Sequence, residues 1–258
     1  MHPDQQLEKQ LRDQQAHNYD AAQHRMRTRW FVWARDKAAA LALAGTTRIL
    51  DAGCGTGSAL AHFENFGSET TIGVDLSIEF LKVAQGRASR PLLICADLSS
   101  LPFPDGYFDG IACLGVLTCM PQELHPSAVR ELARVTREGG LLVVQVYNAQ
   151  VAAVYNRVAG SGRFENGMHY HTFSREETCN LLFQCGWEVK RVAGFGVIRH
   201  LCALVRGGMR FYRLFARILA PVEVIITRYG SSRFAQCGEY IYVTCVRASR
   251  LSDRNSGQ

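Results

Sequence analysis

Long apolar runs are missing from this sequence of 258 residues: it holds no uninterrupted stretch of about 18 apolar residues, the length that a membrane-spanning helix needs. The opening residues, MHPDQQLEKQLRDQQ, lack the apolar core of a secretory leader. Internal repeats and low-complexity tracts are absent, and 47% apolar with 20% charged residues is the balance of a folded globular chain. These features exclude disordered and collagen-like proteins. We therefore expect a cytoplasmic protein that folds as one domain over residues 1–258.

Cysteine pairing motifs are also missing. The nine cysteines are an odd number, and no Cys-x-x-Cys pair occurs among them. Several stand in apolar runs, where a thiol packs as a small core residue. The pattern favours a reducing compartment over a disulfide framework or a zinc site, and we expect no metal to be bound.

The basic charge is confined to the last quarter of the chain. From Arg191 onward, 11 arginines and 3 acidic residues give a charge of +8, whereas the 190 residues before it carry 18 basic and 20 acidic residues, or −2. Such a segment fits an anionic substrate, a membrane surface or a solvated basic face. Lysine is scarce and no RNA-binding motif is present, so we expect no nucleic-acid partner.

Short apolar runs alternate with helical stretches from Arg48 onward. Strands are predicted over 48–53, 70–76, 92–98, 108–115, 140–147, 187–192 and 239–247. Helices are predicted over Gly57–Phe66, Ser77–Arg87 and His125–Thr136, and from a capping box at Ser174 and Glu177 to about Cys185. Continuous apolar strands alternating with helices predict a doubly wound α/β fold, whose mostly parallel sheet is covered on both faces.

Two segments lie outside this alternation. Residues 1–45 predict an amphipathic helical cap, and an insertion over about 195–234 precedes the last strand. The insertion predicts a helix that ends or kinks at Pro221. Its arginines and its apolar residues recur on two faces: Arg210, Arg213 and Arg217 on one, and Phe211, Leu214, Phe215, Ile218 and Leu219 on the other. Three interpretations stay open: a lid over the substrate, a peripheral membrane contact through about 208–226, and a helix packed on the sheet.

A glycine-rich turn follows the first strand. Gly53, Gly55 and Gly57 let the backbone approach a ligand, and two acids, Asp75 and Asp97, end the next two strands. Each acid alone is also a common helix cap, but their combination with the turn favours an adenosine-containing cofactor. A pyrophosphate cofactor such as a nicotinamide dinucleotide prefers Gly-x-Gly-x-x-Gly. The shorter spacing, with Asp51 beside it, favours a cofactor that has a cationic amino-acid end, and a nicotinamide-dependent oxidoreductase is the distant alternative.

The segments LDAGCGTG, GVDLS, ADLSSLPFPDGYFDGI and REGGLLVVQV resemble the successive motifs of class I S-adenosylmethionine-dependent methyltransferases. The nearest branch is the small-molecule group that includes the ubiquinone/menaquinone-biosynthesis methylases. The resemblance implies a Rossmann-like, mostly parallel seven-stranded sheet, a cofactor-binding half over 46–147 and a substrate half over 148–258. It implies S-adenosylmethionine as cofactor, with the ribose hydroxyls at Asp75 and the adenine at Asp97 and Leu98. The full implied set is Tyr19, Asp51, Ala52, Gly53, Cys54, Gly55, Gly57, Asp75, Leu76, Asp97, Leu98, Leu114 and Gly115.

The residues expected near the methyl acceptor form a less specific pattern than the cofactor motifs do. The segment CLGVLTCMP lacks the Asn/Asp/Ser-Pro-Pro-aromatic motif of amide or base N-methylating relatives, and Thr118 or Cys119 stands where related enzymes have a histidine. His169 and His171 share one face of a strand-like stretch, and we predict them as general bases, with a helix-entry hydrogen-bonding role as the alternative. A base favours O-methylation of a small or lipid-like acceptor. C- or N-methylation of a quinone-like or natural-product precursor is the alternative.

Overall fold

The computed structural model describes residues 3–24, 29–87, 92–155, 159–164, 167–205, 207–230 and 237–249. Its helices are α1 (Pro3–His24), α2 (Arg29–Ala42), α3 (Leu60–Asn65), α4 (Ile78–Ala84), α5 (His125–Val135), α6 (Arg175–Gln184), α7 (Val197–Ala203) and α8 (Gly208–Tyr229). Its strands are β1 (Arg48–Ala52), β2 (Thr70–Asp75), β3 (Leu92–Cys95), β4 (Phe108–Leu114), β5 (Thr136–Asn148), β6 (Gly160–Arg163), β7 (His169–Phe173), β8 (Trp187–Phe195) and β9 (Tyr240–Arg247).

Seven of these strands form the predicted sheet. Strands β3, β2, β1, β4 and β5 lie side by side in that order and run parallel. β9 pairs antiparallel with β5, and β8 pairs antiparallel with β9. Their cores are apolar runs such as LLVV, which suit strands buried on both faces. The predicted doubly wound, mostly parallel α/β fold is confirmed.

A hairpin of β6 and β7 was not predicted by the strand pattern. β7 joins the sheet at the end of β5, on the side opposite to β9, where Tyr147 and Asn148 pair in parallel with Thr172 and Phe173. β6 then pairs antiparallel with β7. The sequence GSGR of β6 lacks the β-branched and aromatic residues that signal a strand, so its pairing depends on β7.

Helices cover both faces of the sheet. On one face, α5 and α6 bury a core that includes Leu132, Leu182 and Trp187, and the Trp187 indole donates to the Val129 carbonyl at 3.3 Å. On the other face, α2 and α8 pack on residues such as Phe195. None of the helices within the described ranges is long and apolar enough to cross a membrane.

The sequence predicts that the helix of the insertion ends or kinks at Pro221, and the structure shows that it does not end there but continues to Tyr229. A proline inside a helix costs about 3 kcal/mol, which must be offset by packing on its far side. Glu223 and Val224, just beyond it, are both buried. The Glu223 carboxylate accepts hydrogen bonds from the backbone N–H groups of Val197 at 2.7 Å and Ile198 at 3.1 Å, which fixes the start of α7. The predicted end of the insertion, up to residue 234, lies outside the described residues.

Candidate functional site

The turn after β1 needs glycine for two physical reasons. Gly53, Gly55 and Gly57 have φ of 73°, 55° and 80°, a region that disfavours other L-residues. A Cβ on Gly53 would lie 2.3 Å from Cγ2 of Val116, and one on Gly57 would lie 2.9 Å from Cβ of Ala84. Gly53 therefore lets the turn approach the loop after β4, while Gly57 lets it pack closely on α4.

Asp75, at the end of β2, is fixed from both sides. Its Oδ2 accepts a hydrogen bond from the Gly55 N–H at 2.9 Å, and its Oδ1 accepts one from the Ser77 N–H at 2.9 Å. Burial raises the pKa of Asp75, and the nearby Arg12 guanidinium opposes that rise. The carboxylate thus joins the glycine turn to the start of α4, where the Ser77 side chain caps the helix.

A cleft of about 750 Å³ opens at the carboxyl ends of β1, β2 and β4. The carboxyl ends of parallel strands are where open α/β sheets bind ligands. The predicted residues that line it are Gly53, Gly55, Asp75, Leu76, Asp97, Leu98, Leu114, Gly115 and Tyr19. The loop after β4 contributes Val116, Cys119, Met120 and Pro121.

Helix α1 lies over this cleft and was expected to contribute only Tyr19. The Tyr19 ring stacks on Phe80 of α4 with a centroid distance of 5.1 Å and an interplanar angle of 26°. Gln5, Glu8 and Arg12 of the same helix also line the cleft. These three residues belong to no recognisable motif, and their place in the cleft depends on where α1 packs, so the sequence does not predict them.

A second, smaller cavity of about 330 Å³ shares Gly53, Gly55, Leu114 and Tyr19 with the cleft, so the two meet at the glycine turn. Asp51 lines it and is only 3% exposed. Among the described residues no hydrogen-bond donor reaches its Oδ2. Burial raises the pKa of Asp51 from 3.8 to about 7; the negative charge of Asp36 adds to that rise, and the positive charge of Arg35 opposes it.

Arg35 brings a cation into the same cavity and was not predicted. Its Nε donates to Oδ1 of Asp36 at 2.7 Å, and its Nη2 donates to Ser58 Oγ at 2.8 Å. The available signal was the charged run Arg35-Asp36-Lys37 within the otherwise apolar segment WFVWARDKAAALA. Arg35 and Asp51 together offer a cation and a carboxylate, the complement of a zwitterionic amino-acid group.

Four predicted site residues lie elsewhere. Ala52 and Gly57 line neither cavity. His171 is buried, with its Nδ1 2.8 Å from Ser161 Oγ and its Nε2 2.8 Å from Glu177 Oε1. His169 is half-buried, and neither histidine is among the described residues that line the cleft.

His169 is nonetheless connected to the cleft through α1, because its backbone N–H donates to the carboxylate of Glu8. Under the loop after β4, the ring of His125 lies 5.3 Å from the ring of His171. Burial, reinforced by His171, lowers the pKa of His125 to about 4. Within the described ranges, no three His, Cys, Asp or Glu side chains are grouped to hold a metal ion.

The fold, the glycine turn and the carboxylates at successive strand ends have the arrangement expected of a class I S-adenosylmethionine-dependent methyltransferase domain. A family model described as methyltransferase domain matches residues 50–144, from β1 to β5. The matched segment contains the glycine turn, Asp75 and Asp97.

Curated relatives match part of this chain. A demethylmenaquinone methyltransferase of Mycolicibacterium vanbaalenii is 34% identical over 112 residues, which are 43% of this chain and 47% of that protein. A malonyl-[acyl-carrier protein] O-methyltransferase of Pseudescherichia vulneris is 38% identical over 93 residues, 36% of each chain. The matched region therefore spans less than half the length of these relatives.

Solved structures share the fold over most of the chain. A Burkholderia thailandensis 1,6-didemethyltoxoflavin-N1-methyltransferase, with its substrate and S-adenosylhomocysteine bound, superposes with a TM-score of 0.61. The alignment covers 96% of this chain and 92% of that one at 17% sequence identity. At this sequence identity the similarity shows a shared fold alone.

Proposed function

We propose that the protein transfers a methyl group from S-adenosylmethionine to a small or lipid-like acceptor, with oxygen as the methylated atom. The observation that carries the proposal is the junction of two cavities at the glycine turn. The smaller cavity has groups suited to an amino acid, and the larger has carboxylates at two strand ends suited to a nucleoside.

The residues present fit the cofactor at both of its ends. The buried Oδ2 of Asp51, with no donor among the described residues, suits an ammonium group, and Arg35 suits the carboxylate of the same amino acid. Asp75 would accept bonds from the ribose hydroxyls, and Asp97 from the adenine amine. When bound, the cofactor supplies a methyl group on a sulfonium, which needs no activation by the protein.

The chain's own task is to orient the acceptor and to exclude water. Val116, Met120 and Pro121 give the cleft an apolar wall on the side of β4, and α1 covers it from above. In-line displacement depends on holding the nucleophile collinear with the bond that breaks. An apolar wall in a covered cleft suits an apolar or lipid-like acceptor and shields the reacting atoms from water.

A hydroxyl acceptor needs a base, and we keep His169 and His171 in that role as part of the proposal. His169 is supported by its backbone bond to Glu8, which lines the cleft and ties β7 to α1. His171 is held in one orientation by Ser161 and Glu177. An acceptor carbon or nitrogen that is already nucleophilic would need neither ring.

Two measurements test the proposal. Isothermal titration should show that S-adenosylmethionine binds and that NADPH does not, and Asp51→Asn should weaken binding. Incubation with S-adenosylmethionine and a panel of phenols, carboxylic acids, quinols and amines should yield S-adenosylhomocysteine with the phenols or acids. Tighter binding of NADPH than of S-adenosylmethionine would overturn the cofactor assignment, and turnover with amines or carbon acceptors alone would overturn O-methylation.

A further inference from the structure

The outward side of α8 exposes large apolar side chains. Its inward side packs on the protein through buried residues that include Ala220 and Val224. On the opposite side, Leu214 is 77% exposed, Ile218 68% and Tyr229 75%. The exposed apolar residues recur every three or four positions and so share one face of the helix. They are Phe211, Leu214, Ile218, Val222, Ile225 and Tyr229.

Helix α7 extends this surface. Leu201, Leu204 and Val205 are more than half exposed and lie in or directly after α7. A shallow, mostly apolar groove of about 860 Å³ joins the two helices and includes Leu201, Val205 and Phe211 in its lining. We refer to Leu201, Leu204 and Val205, together with the six exposed apolar residues of α8, as the α7–α8 apolar face. A contiguous apolar surface of this kind marks an interaction site on a soluble fold.

Arginines border the apolar face along one flank of α8. Arg210, Arg213 and Arg217 are exposed, and no ion pair joins them to an acid within the described part of the chain. The one acidic residue of α8, Glu223, is buried and caps α7. The outward surface of the helix is therefore apolar and cationic, with no negative charge of its own.

We propose that the α7–α8 apolar face docks on the surface of an anionic lipid bilayer. A helix lying in the plane of such a surface buries its apolar residues at the boundary between headgroups and acyl chains, while flanking arginines pair with lipid phosphates. Each arginine near an anionic surface contributes about a fivefold increase in binding. The charge pattern of α8 matches this partner, because the exposed charges of this helix are all positive.

A second copy of this chain is a poorer match for the same face. A two-fold contact is self-complementary, so it would set this arginine-bordered surface against an identical one without an acid on either side. The bilayer requires no such pairing and accommodates a protruding helix.

Flotation of the full chain with lipid vesicles tests the proposal. The protein should float with vesicles of phosphatidylcholine and phosphatidylglycerol, float much less with phosphatidylcholine alone, and lose binding as salt is raised. The variant Arg210→Gln/Arg213→Gln/Arg217→Gln should lose about a hundredfold in affinity for the anionic vesicles. Leu214→Glu/Ile218→Glu should abolish flotation.

Matched variants on the other face of the sheet give the controls. Arg130→Gln/Arg137→Gln/Arg175→Gln removes three exposed arginines of α5, β5 and α6, and Phe183→Glu removes an exposed apolar residue of α6. Both should float as the unmodified protein does. Titration with S-adenosylmethionine is a separate readout. A variant that binds it as the unmodified protein does is folded, and binding by the unmodified protein itself tests the proposed function.

Failure of the unmodified protein to float with anionic vesicles would overturn the proposal, as would equal loss in the control variants. Dimerisation in sedimentation experiments that Leu214→Glu/Ile218→Glu abolishes, without lipid binding, would assign the face to a second copy instead.

Discussion

The side-chain amide of Gln5 donates a hydrogen bond to Oδ2 of Asp97 at 3.0 Å, which links the N-terminal helix to the carboxylate after β3. The other oxygen of Asp97 accepts the Ser99 N–H at 2.8 Å. The same helix places the Arg12 guanidinium near enough to Asp75 to oppose the rise in its pKa. Helix α1 thus engages both carboxylates that we assign to the adenosine of the cofactor.

Removing the Gln5 amide should therefore tighten cofactor binding. Gln5 and the adenine amine compete for Oδ2 of Asp97, and one hydrogen bond of this kind is worth about 0.5–1.5 kcal/mol, or roughly two- to tenfold in affinity. Isothermal titration of Gln5→Ala with S-adenosylmethionine measures the effect. Gln6→Ala, a substitution at the exposed neighbouring position of α1, is the matched control and should leave affinity unchanged. Weaker binding by Gln5→Ala would mean that the amide holds the cofactor rather than replaces it.

Cofactor affinity should rise with pH through the pKa of Asp51. The buried carboxyl has a pKa of about 7 in the free protein, and it must lose its proton to accept an ammonium group. Affinity should therefore increase up to tenfold per pH unit below that value and level off above it. Titrations from about pH 6 to about pH 8 should also show proton release in buffers of different ionisation enthalpy. Asp51→Asn should bind weakly with a flat profile, and a sloping profile in that variant would assign the titration to another group.

The same carboxyl should lower the stability of the free protein at alkaline pH. Its folded-state pKa lies above the ordinary value of 3.8, so between that value and about 7 the folded state holds a proton that the unfolded chain has released. The free energy of unfolding contributed by Asp51 accordingly falls as pH rises through that window. Asp51→Asn should be more stable than the unmodified protein at about pH 8 in denaturant titrations, and the two should converge at about pH 4. An equal difference at both pH values would refute the linkage.

An alanine at position 53 should destabilise the domain through the loop after β4. Its Cβ would overlap the Val116 side chain, and the positive φ adds about 1 kcal/mol of strain. We expect Gly53→Ala to lower the free energy of unfolding by about 2–4 kcal/mol. Val116→Ala in the same chain should restore part of that loss, because it removes the overlap and leaves only the strain. A double variant no more stable than Gly53→Ala would place the cost elsewhere.

Alanine substitutions of His169 and His171, the two histidines of β7, should have different effects. His169→Ala should reduce turnover of an oxygen acceptor by about 10²–10⁴-fold while cofactor affinity stays constant. His171→Ala should also lower the free energy of unfolding, by about 2 kcal/mol, because it leaves Ser161 and Glu177 without the ring that joins them. Initial rates, titration and denaturant unfolding measure the three quantities. Unchanged rates in both variants would remove a histidine base from the mechanism.

The parts of the site that depend on local structure could be predicted from the sequence. Asp75 and Asp97 end predicted strands, and parallel strands bring their carboxyl ends to one edge of the sheet. The glycine turn was visible because a strand, a turn and a helix succeed one another within a short segment. Each of these residues is positioned by its own βα unit, whose strand, turn and helix follow one another in the sequence.

The residues that were missed depend on packing between distant segments. Arg35 reaches the cavity only because α2 packs against β1 and α8, and Gln5 only because α1 crosses to Asp97. The continuation of α8 past Pro221 follows from the burial of Glu223 and Val224. The placement and burial of these helices are not encoded in local periodicity, so no motif assigns Arg35 or Gln5 to the site.

The long strand β5 has a consequence for how the chain is made. Its residues Leu141–Gln145 pair on one side with β4. On the other side Leu141–Tyr147 pair with β9, whose residues are synthesised almost a hundred positions later. Until Tyr240–Arg247 leaves the ribosome, the backbone groups along that side of an apolar strand have no partner from β9. Nascent chains that stop before residue 240 should consequently recruit chaperones or aggregate, although the cofactor-binding half is already complete. Completion of the sheet is thus a late event in translation, set by the position of a single antiparallel strand.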